Sequence, residues 1–583
     1  MSARMESYEN LDYSLPSKSW AWNMYGAGLE NNGRDGKPEL FPVPEPNDDQ
    51  LLVRVDAVGL CFSDVKLINQ GGEHAKLYHR NLAVEPTRLG HEAAFTVVKV
   101  GKNLQNMYKV GQKLAIQPDI YQNQRATAYG YTIPGGLVQY HLVGDEVLKA
   151  DAGSYLLPVS DEMSYAEAAL TEPWACVEAA YTQRRRLDPK PGGTMLIVGS
   201  PDDGRPYTFS SSLKAPSRII VCNISADMKL QVQNQKRPEA ELFEETCENL
   251  DDFQRLDEKY ADGKGFDDTV LLGITSAALV TEAAKHIAFR GSLNMVSDKK
   301  LDGLCTIDSS RIHYHYTTYI GNASTDISAS YGEARNRSEL MDGGTLVVVG
   351  GAGPMGQMHV QRSLEMLPGP KRVIVTDLNQ KRLDALKISG DPIAARNGKE
   401  FILVNTTDPQ TDLVGLVRDL TGGEMAEDVV VCVPVGKVMQ DAAALLGKDG
   451  MLNFFAGTAP GTFIDVDLSN IFLNNMQLTG TSGSTLFDQE TVIRKATEKK
   501  LSPNLSVAAI GGLNSAVEGM DAMIKGTYTG KIVIFPQLPD LPLMGLSELA
   551  EKDPEIAAKL GENETWSREA EQAIIEKYWK LEA

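Results

Sequence analysis

The stretch GGTLVVVGGAGPMG, residues 343–356, is an apolar β-type run that breaks into a glycine-rich turn. At 192–204 the chain reads GGTMLIVGSPDDG, the same opening 151 positions earlier, followed by a different turn. The likeness continues: RGSLNMVSD (290–298) answers to DGMLNFFAG (449–457), and IDSSRIHYHYTTYIGNAST (307–325) to VDLSNIFLNNMQLTGTSGST (466–485). Gly291 and Gly450, Asp308 and Asp467, and Gly321 and Gly480 are each 159 positions apart. A constant offset over such a length marks an internal repeat, and strands alternating with helical stretches build a parallel sheet from βαβ units. The sequence therefore predicts an α/β protein with two tandem Rossmann-like, doubly wound parallel-sheet units, at 186–330 and 331–485.

The second unit alone carries a cofactor loop. Gly351, Gly353 and Gly356 form GxGxxG directly after the strand, with Pro354 and Met355 opening the helix. Glycine belongs there because the turn is tight, the backbone must approach a pyrophosphate, and the helix must pack closely on the strand. RVIVTDLNQKRL follows, a second strand ending in Asp377, 21 residues after Gly356. A carboxylate at that spacing binds the ribose hydroxyls and repels a 2′-phosphate, which predicts NAD rather than NADP. In the first unit the turn GSPDDG holds Asp202 and Asp203, and the strand RIIVCNIS reaches Asn223 instead of an acid. Two carboxylates repel phosphate and cancel the pull of a helix N-terminus, so this unit is expected to keep its sheet and to have lost the cofactor.

Residues 1–185 show short β-rich runs punctuated by Gly, Pro and Asn, closing on the helical SYAEAALTEPWACVEAAYTQ. Residues 486–540 add a helix and a strand in GGLNSAVEGMDAMIKGTYTGKIVIFPQ, and 541–583 form a helical tail with Ala570, Ala573, Ile574 and Tyr578 along one docking face. With 583 residues, 42% hydrophobic and 23% charged, the chain has material for several cores. Its net charge of -21 opposes a nucleic-acid partner, which a Lys/Arg excess would attract. The six cysteines include no CxxC pair, which fits a reduced cytoplasmic protein rather than a disulfide framework. There is no apolar leader and no apolar run of membrane-spanning length, so no membrane partner is expected.

Within the β-rich part, GLCFSDVK places Cys61, Ser63 and Asp64 together, RLGHEAAF supplies His91 and Glu92, and LTEPWACVEAAY supplies Glu172. One thiolate, one imidazole and one or two carboxylates suit an open zinc site that leaves a position for substrate or water. Singly, each has a plainer reading: a buried cysteine, a core histidine, an acid at a helix start. Their co-occurrence with the glycine loop favours the metal.

Read in order, GLCFSD, LGHE, VGQKLAIQP, GGLVQY, TEPWACV, VVVGGAGPMG and GTYTGKIVIFPQ resemble the zinc-dependent medium-chain dehydrogenase/reductase family, in the style of sorbitol and other polyol dehydrogenases, with 186–330 as an insertion. The resemblance implies a GroES-like catalytic domain beside the Rossmann fold. It implies Cys61 and His91 as ligands of one catalytic zinc, with Glu92 and Glu172 as carboxylates that bind directly or through water. Ser63 takes the place of a proton-relay hydroxyl, and Asp64 that of the acid orienting the ligand histidine. The cysteine-rich lobe of many relatives is replaced by PDIYQNQRATAYGYTIPGG, so no structural zinc is expected, and Phe95 stands where relatives usually have glycine.

The implied activity is hydride transfer between NAD(H) and a secondary alcohol or ketone of a polyol, sugar or sugar phosphate: the substrate hydroxyl binds zinc, its pKa falls, and Ser63 passes the proton outward. The competing reading is a non-catalytic structural or ligand-sensing descendant. The intact Cys61, His91 and Glu172 set argues against it, and against a zinc-free quinone or enoyl reductase. Connectivity lets either Rossmann unit lie over the zinc, and the second is expected there because it keeps the cofactor chemistry. Relatives dimerise through edge strands of two Rossmann sheets, so the chain is expected to form either a homo-oligomer or an intrachain pseudo-dimer, in which 186–330 caps the edge near NIFLNNMQLTG.

Overall fold

The computed structural model describes residues 3–580; residues 1, 2 and 581–583, the ends of the first and last expected segments, lie outside it. Numbered in chain order, the strands that the β-rich part gives to its main sheet are β1 (Leu51–Gly59), β2 (Glu92–Val100), β3 (Lys113–Ile116), β4 (Tyr140–Val143) and β5 (Leu156–Pro158). Helix α1 (Phe62–Gln70) follows β1, and α2 (Tyr165–Ala179) follows β5. The run LLVRVDAVG of β1 is buried on both faces, so its two charged residues must satisfy each other: Arg54 Nε donates to Asp56 Oδ1 at 2.7 Å. Phe95 is likewise buried, edge-on to Tyr129 and His141.

The first repeat contributes β6 (Thr194–Gly199), β7 (Arg218–Cys222), β8 (Glu241–Glu245), β9 (Phe266–Leu272), β10 (Ile287–Val296), β11 (Cys305–Asp308), α3 (Ser309–Tyr314) and β12 (Thr318–Asn322). The second contributes β13 (Thr345–Val349), α4 (Pro354–Glu365), β14 (Arg372–Asp377), β15 (Glu400–Asn405), β16 (Ala426–Val431), β17 (Leu446–Asn453), β18 (Phe463–Val466), α5 (Ser469–Asn474) and β19 (Gln477–Thr479). Six strands of each form a parallel sheet of identical order, β8-β7-β6-β9-β10-β12 and β15-β14-β13-β16-β17-β19. This is the doubly wound order, two strands to one side of the first and three to the other.

The repeat extends to side chains. Arg186 spans Asp268 (3.1 Å) and the carbonyl of Asp188 (3.0 Å), and Arg337, 151 positions on, spans Asp428 (2.6 Å) and the carbonyl of Glu339 (2.9 Å). Arg218 pairs with Glu241 and donates to Tyr260 O as Arg372 pairs with Glu400 and donates to Leu420 O. Duplicated charge networks of this kind are structural, since both copies keep them whatever became of the loops.

The two sheets meet about a local pseudo-two-fold axis. Strands β11 and β18 pair antiparallel with Thr306 opposite Asp465, its own counterpart 159 positions on. Replacing each residue by its counterpart turns the pair Cys305–Val466 into Ile307–Ile464, which is also a pair. The same exchange holds farther out: Gly321 abuts Phe472, and Gly480 abuts His313. One apolar cluster, including Ile307, Ile312, Ile464, Ile471 and Phe472, runs through both units.

After the repeats come α6 (Leu486–Thr497), β20 (Val507–Gly512), β21 (Lys531–Phe535), β22 (Met544–Gly545) and α7 (Arg568–Tyr578). Strands β20 to β22 return to the first sheet, giving the order β22-β20-β21-β1-β2-β3-β5 with β4 on β1. The tail helix α7 docks through Ala570, Ile574, Ile575 and Trp579 beyond it, whereas Ala573 and Tyr578 are half-buried at the rim. Its Glu571 accepts from the backbone N–H groups of Tyr165 (2.6 Å) and Ala166 (2.9 Å), satisfying donors that the first turn of α2 leaves open.

Candidate active site

Cys61 is the N-cap of α1, and Asp64 at the third helical position accepts from the Cys61 N–H at 3.0 Å. The same carboxylate reaches His91 Nδ1 at 3.2 Å through its other oxygen, so one buried acid fixes both the helix start and the imidazole. Nε2 of His91 is thereby aimed outward, 3.3 Å from Ser63 Oγ. Glu92 begins β2, next in sequence. The ligand atoms of Cys61, His91 and Glu92 lie within 4.8 Å of one another.

This trio fits a metal. Glu92 Oε2 is buried with no hydrogen-bond partner, while Oε1 takes the ammonium of Lys531 at the start of β21. A lone carboxylate oxygen beside a sulfur and an imidazole nitrogen is a donor set for zinc with one position open. Burial pulls His91 down, but the Asp64 carboxylate and the Cys61 sulfur outweigh it and hold the imidazole well above its usual value. Lys531 is kept charged against its own burial by Glu92.

Glu172, on α2, is not part of the converging trio. Its Oε1 faces Cys176 Sγ at 4.0 Å, one helical turn on. Burial pushes it up to about 7, with Glu92 and Asp119 adding to the rise and His91 and Lys531 opposing it. Three residues absent from the sequence-level set stand in the same cleft: Lys531, Tyr131, whose ring lies 5.9 Å from that of His91, and Asp119, paired with Lys76 at 2.7 Å. Lys531 had a local signal, a lone lysine heading the buried strand KIVIF.

The second unit is the one that lies against this site. Its helix α4 packs on α2, where Arg362 pairs with Glu178 (3.0 Å) and Tyr181 bonds to His359 (2.7 Å). The segment after β19 reaches the β-rich part, with Ser484 accepting from Gln117 Nε2 at 2.8 Å. In the glycine loop, Gly350 has φ +71°, and a Cβ on Gly356 would stand 2.7 Å from Gly350 O. A Cβ on Gly353, by contrast, would meet nothing closer than 3.7 Å, so that face is open. Gly353 also caps α4 without a side chain, leaving the first N–H groups for an anion. Asp377 ends β14, half-buried, with Oδ1 accepting from the Asn379 N–H at 2.9 Å.

The first unit departs from expectation in one respect. Asp202 and Asp203 do not oppose a helix N-terminus, because the chain from residue 200 to 217 contains no helix. Asp203 is instead tied to Arg205 and Tyr207, and a Cβ on Gly273 would overlap its carboxylate at 1.9 Å. The phosphate-binding element is missing altogether.

Comparison with known proteins agrees with this architecture. Residues 47–151 match the alcohol dehydrogenase GroES-like domain, and residues 354–498 the zinc-binding dehydrogenase domain. The chain is 24% identical over 558 residues to the mannitol-1-phosphate 5-dehydrogenase of Aliivibrio fischeri, covering 94% of this chain and 96% of the relative. It is 24% identical over 559 residues to the L-sorbose 1-phosphate reductase of Klebsiella pneumoniae, covering 93% and 95%. Against the sorbitol dehydrogenase of Bacillus subtilis the identity is 31% over 214 residues, 34% of this chain and 55% of the relative. An alcohol dehydrogenase structure from Thermotoga maritima shares the fold, with a TM-score of 0.50 at 14% identity over 89% of this chain and 99% of the other. The chain thus carries the GroES-like and zinc-binding domains of the zinc-dependent medium-chain dehydrogenases/reductases, and it is an oxidoreductase. Two relatives that match along nearly the whole length, repeat included, are named for phosphorylated substrates.

Among the described residues no helix is long and apolar enough to cross a membrane.

Proposed function

We propose that the protein is an NAD-dependent zinc dehydrogenase acting on a secondary alcohol of a polyol or sugar phosphate, or on the corresponding ketone in reverse. The observation that carries this reading is the convergence of Cys61, His91 and Glu92, with Asp64 behind the histidine, beside the unit that keeps the glycine loop. Cys61, His91 and Glu92 would hold one zinc, with Glu172 within electrostatic reach as an alternative or water-mediated carboxylate. Gly351, Gly353, Pro354, Met355 and Gly356 would cradle the dinucleotide pyrophosphate, and Asp377 its ribose, which favours NAD over NADP. When bound, the metal supplies Lewis acidity toward a substrate oxygen, and the dinucleotide supplies the hydride acceptor.

The chain's own residues do the rest. Asp64 holds His91 in one tautomer and orientation. Ser63 stands where it can take a proton from a substrate hydroxyl and pass it outward. Buried Lys531 holds one oxygen of Glu92, so the other stays aimed at the ligand position.

The test is metal analysis combined with a screen for NAD reduction over a panel of polyols and polyol phosphates, with Cys61→Ala as control. About one zinc per chain and turnover that both vanish in Cys61→Ala are expected. Full turnover by a zinc-free protein would refute the reading.

A further inference from the structure

The two sides of the pseudo-two-fold interface differ in chemistry. Residues 312–316, in α3 and the turn after it, read IHYHY, whereas their counterparts 471–475 read IFLNN. Polar aromatic groups thus face the unit with the glycine loop, and Phe472 and Leu473 stand at the matching positions toward the unit without one. In parallel sheets ligands bind beyond the carboxyl ends of the strands. There, in the second unit, the IHYHY segment sits. His313 Nδ1 donates to Phe454 O (3.1 Å) just past β17, and Tyr316 donates to Ser482 O (2.8 Å) just past β19. A Cβ on Gly457 would stand 2.3 Å from the Tyr314 hydroxyl.

Close to Ser482, a Cβ on Gly483 would stand 2.7 Å from Oδ2 of Asp119, the partner of Lys76, and this joins the segment to the part of the chain that follows α1. Lys66 lies one helical turn beyond Ser63, exposed, with no ion-pair partner among the described residues. His74 Nδ1 accepts from the Lys76 N–H at 3.2 Å, which leaves Nε2 as an unpaired N–H donor. The His74 ring lies 5.2 Å from Tyr131, itself next to His91, so His74 stands two rings away from the metal ligands. The Tyr314 side chain is 38% exposed, and its hydroxyl has no hydrogen-bond partner among the described residues. The charge of Lys66 is felt on both sides: beyond the effect of burial, it holds down His74, together with Lys76, and His313. The neighbouring ammonium of Lys76 is already spent on Asp119.

We propose that Lys66, His74 and Tyr314 bind a phosphoryl group at the end of the substrate remote from Cys61 and His91, with Tyr314 supplied by the unit that has lost its own cofactor loop. An unpaired ammonium, an imidazole N–H and a phenol hydroxyl are a donor set for a dianion, and charge-assisted hydrogen bonds are the strong ones. The inference rests on the dehydrogenase reading above and narrows its substrate to phosphorylated polyols or ketoses. It also gives the first unit a function of its own, since that unit completes its neighbour's cleft from the far side.

Calorimetric titration of the full chain with inorganic phosphate and with a hexitol 1-phosphate reads the site without turnover. Initial rates with that hexitol phosphate and with the parent hexitol read it during turnover. Lys66→Ala is expected to weaken both phosphate ligands about ten-fold or more, Tyr314→Phe by a smaller factor, and Lys66→Arg to restore most of the binding. In Lys66→Ala the ratio of kcat/KM for the phosphorylated over the parent substrate falls about ten-fold, mainly through KM. No phosphate binding by the unaltered chain, equal binding by Lys66→Ala, or an unchanged ratio overturns the proposal. Should the unaltered chain oxidise neither substrate, the dehydrogenase reading falls, and the titration still decides the phosphoryl site.

Discussion

At the residue scale, the site turns on two buried carboxylates with different duties. Asp64 touches neither open face of the cleft; it holds the Cys61 N–H and His91 Nδ1. Removing its charge but not its shape, as in Asp64→Asn, is expected to weaken zinc binding about 10- to 100-fold, measured by competition with a chelator, with little change in fold. Unchanged zinc affinity would mean that His91 is oriented by something else. Glu92 poses the opposite problem, a fully buried acid whose partner, Lys531, is also buried. Deleting one member of such a pair strands the other, a loss of about 3–5 kcal/mol. Lys531→Met should therefore cost stability in the zinc-free protein, and distinctly less once zinc neutralises Glu92. Thermal melts with and without zinc make that comparison, and equal losses in both forms would place Glu92 away from the metal.

At the scale of elements, α2 and α4 are the joint between the β-rich part and the cofactor unit. Their ion pair has a pH signature. Burial would raise Glu178, but Arg362 and Lys495 overcome it and hold it down from 4.5 to about 2. A carboxylate depressed in the folded state stabilises above its unfolded value and loses that contribution as pH falls, here between about 4.5 and 2. Glu178→Gln is expected to cost roughly 3 kcal/mol near neutrality and to flatten the dependence of Tm on pH below about 5; parallel curves would show the pair to be inert. The elements themselves were largely legible in the sequence. Runs such as TLVVV, the glycine loop and the 159-residue offset specify strand, turn and repeat through local chemistry alone, and the GLCFSD and LGHE segments mark three residues that the fold brings together. What stayed hidden depends on long-range contact. Lys531 meets Glu92 across 439 positions and Glu571 meets Tyr165 across 406, and no local pattern encodes such pairings. The missing helix of the first unit was readable in principle, since SPDDGRPYTFSSSLKAPS has no helical period and is rich in Pro and Ser.

At the scale of the molecule, the chain contains an isologous interface between two halves of itself. Pairing through β11 and β18 follows the rule of a two-fold dimer, in which contact i–j implies contact j–i. A chain that satisfies this face internally leaves no copy of it for a partner, so the protein is expected to sediment as a monomer of 63.5 kDa unless another face associates. The first unit is also hung between neighbouring points: the Gly332 N–H donates to Leu187 O at 3.0 Å, so its two ends already touch. Excising residues 188–331 thus needs no long bridge, and it uncovers Ile464, Ile471, Phe472 and Leu478, all now 2% exposed or less. Exposed apolar area of that kind drives association. The shortened chain should dimerise or aggregate, with a lower Tm and, because Tyr314 leaves with the excised unit, weaker use of phosphorylated substrate. Light scattering and melting curves on the two chains decide it: a shortened protein that remains monomeric and equally stable would show that the pseudo-two-fold contact does not hold this architecture together.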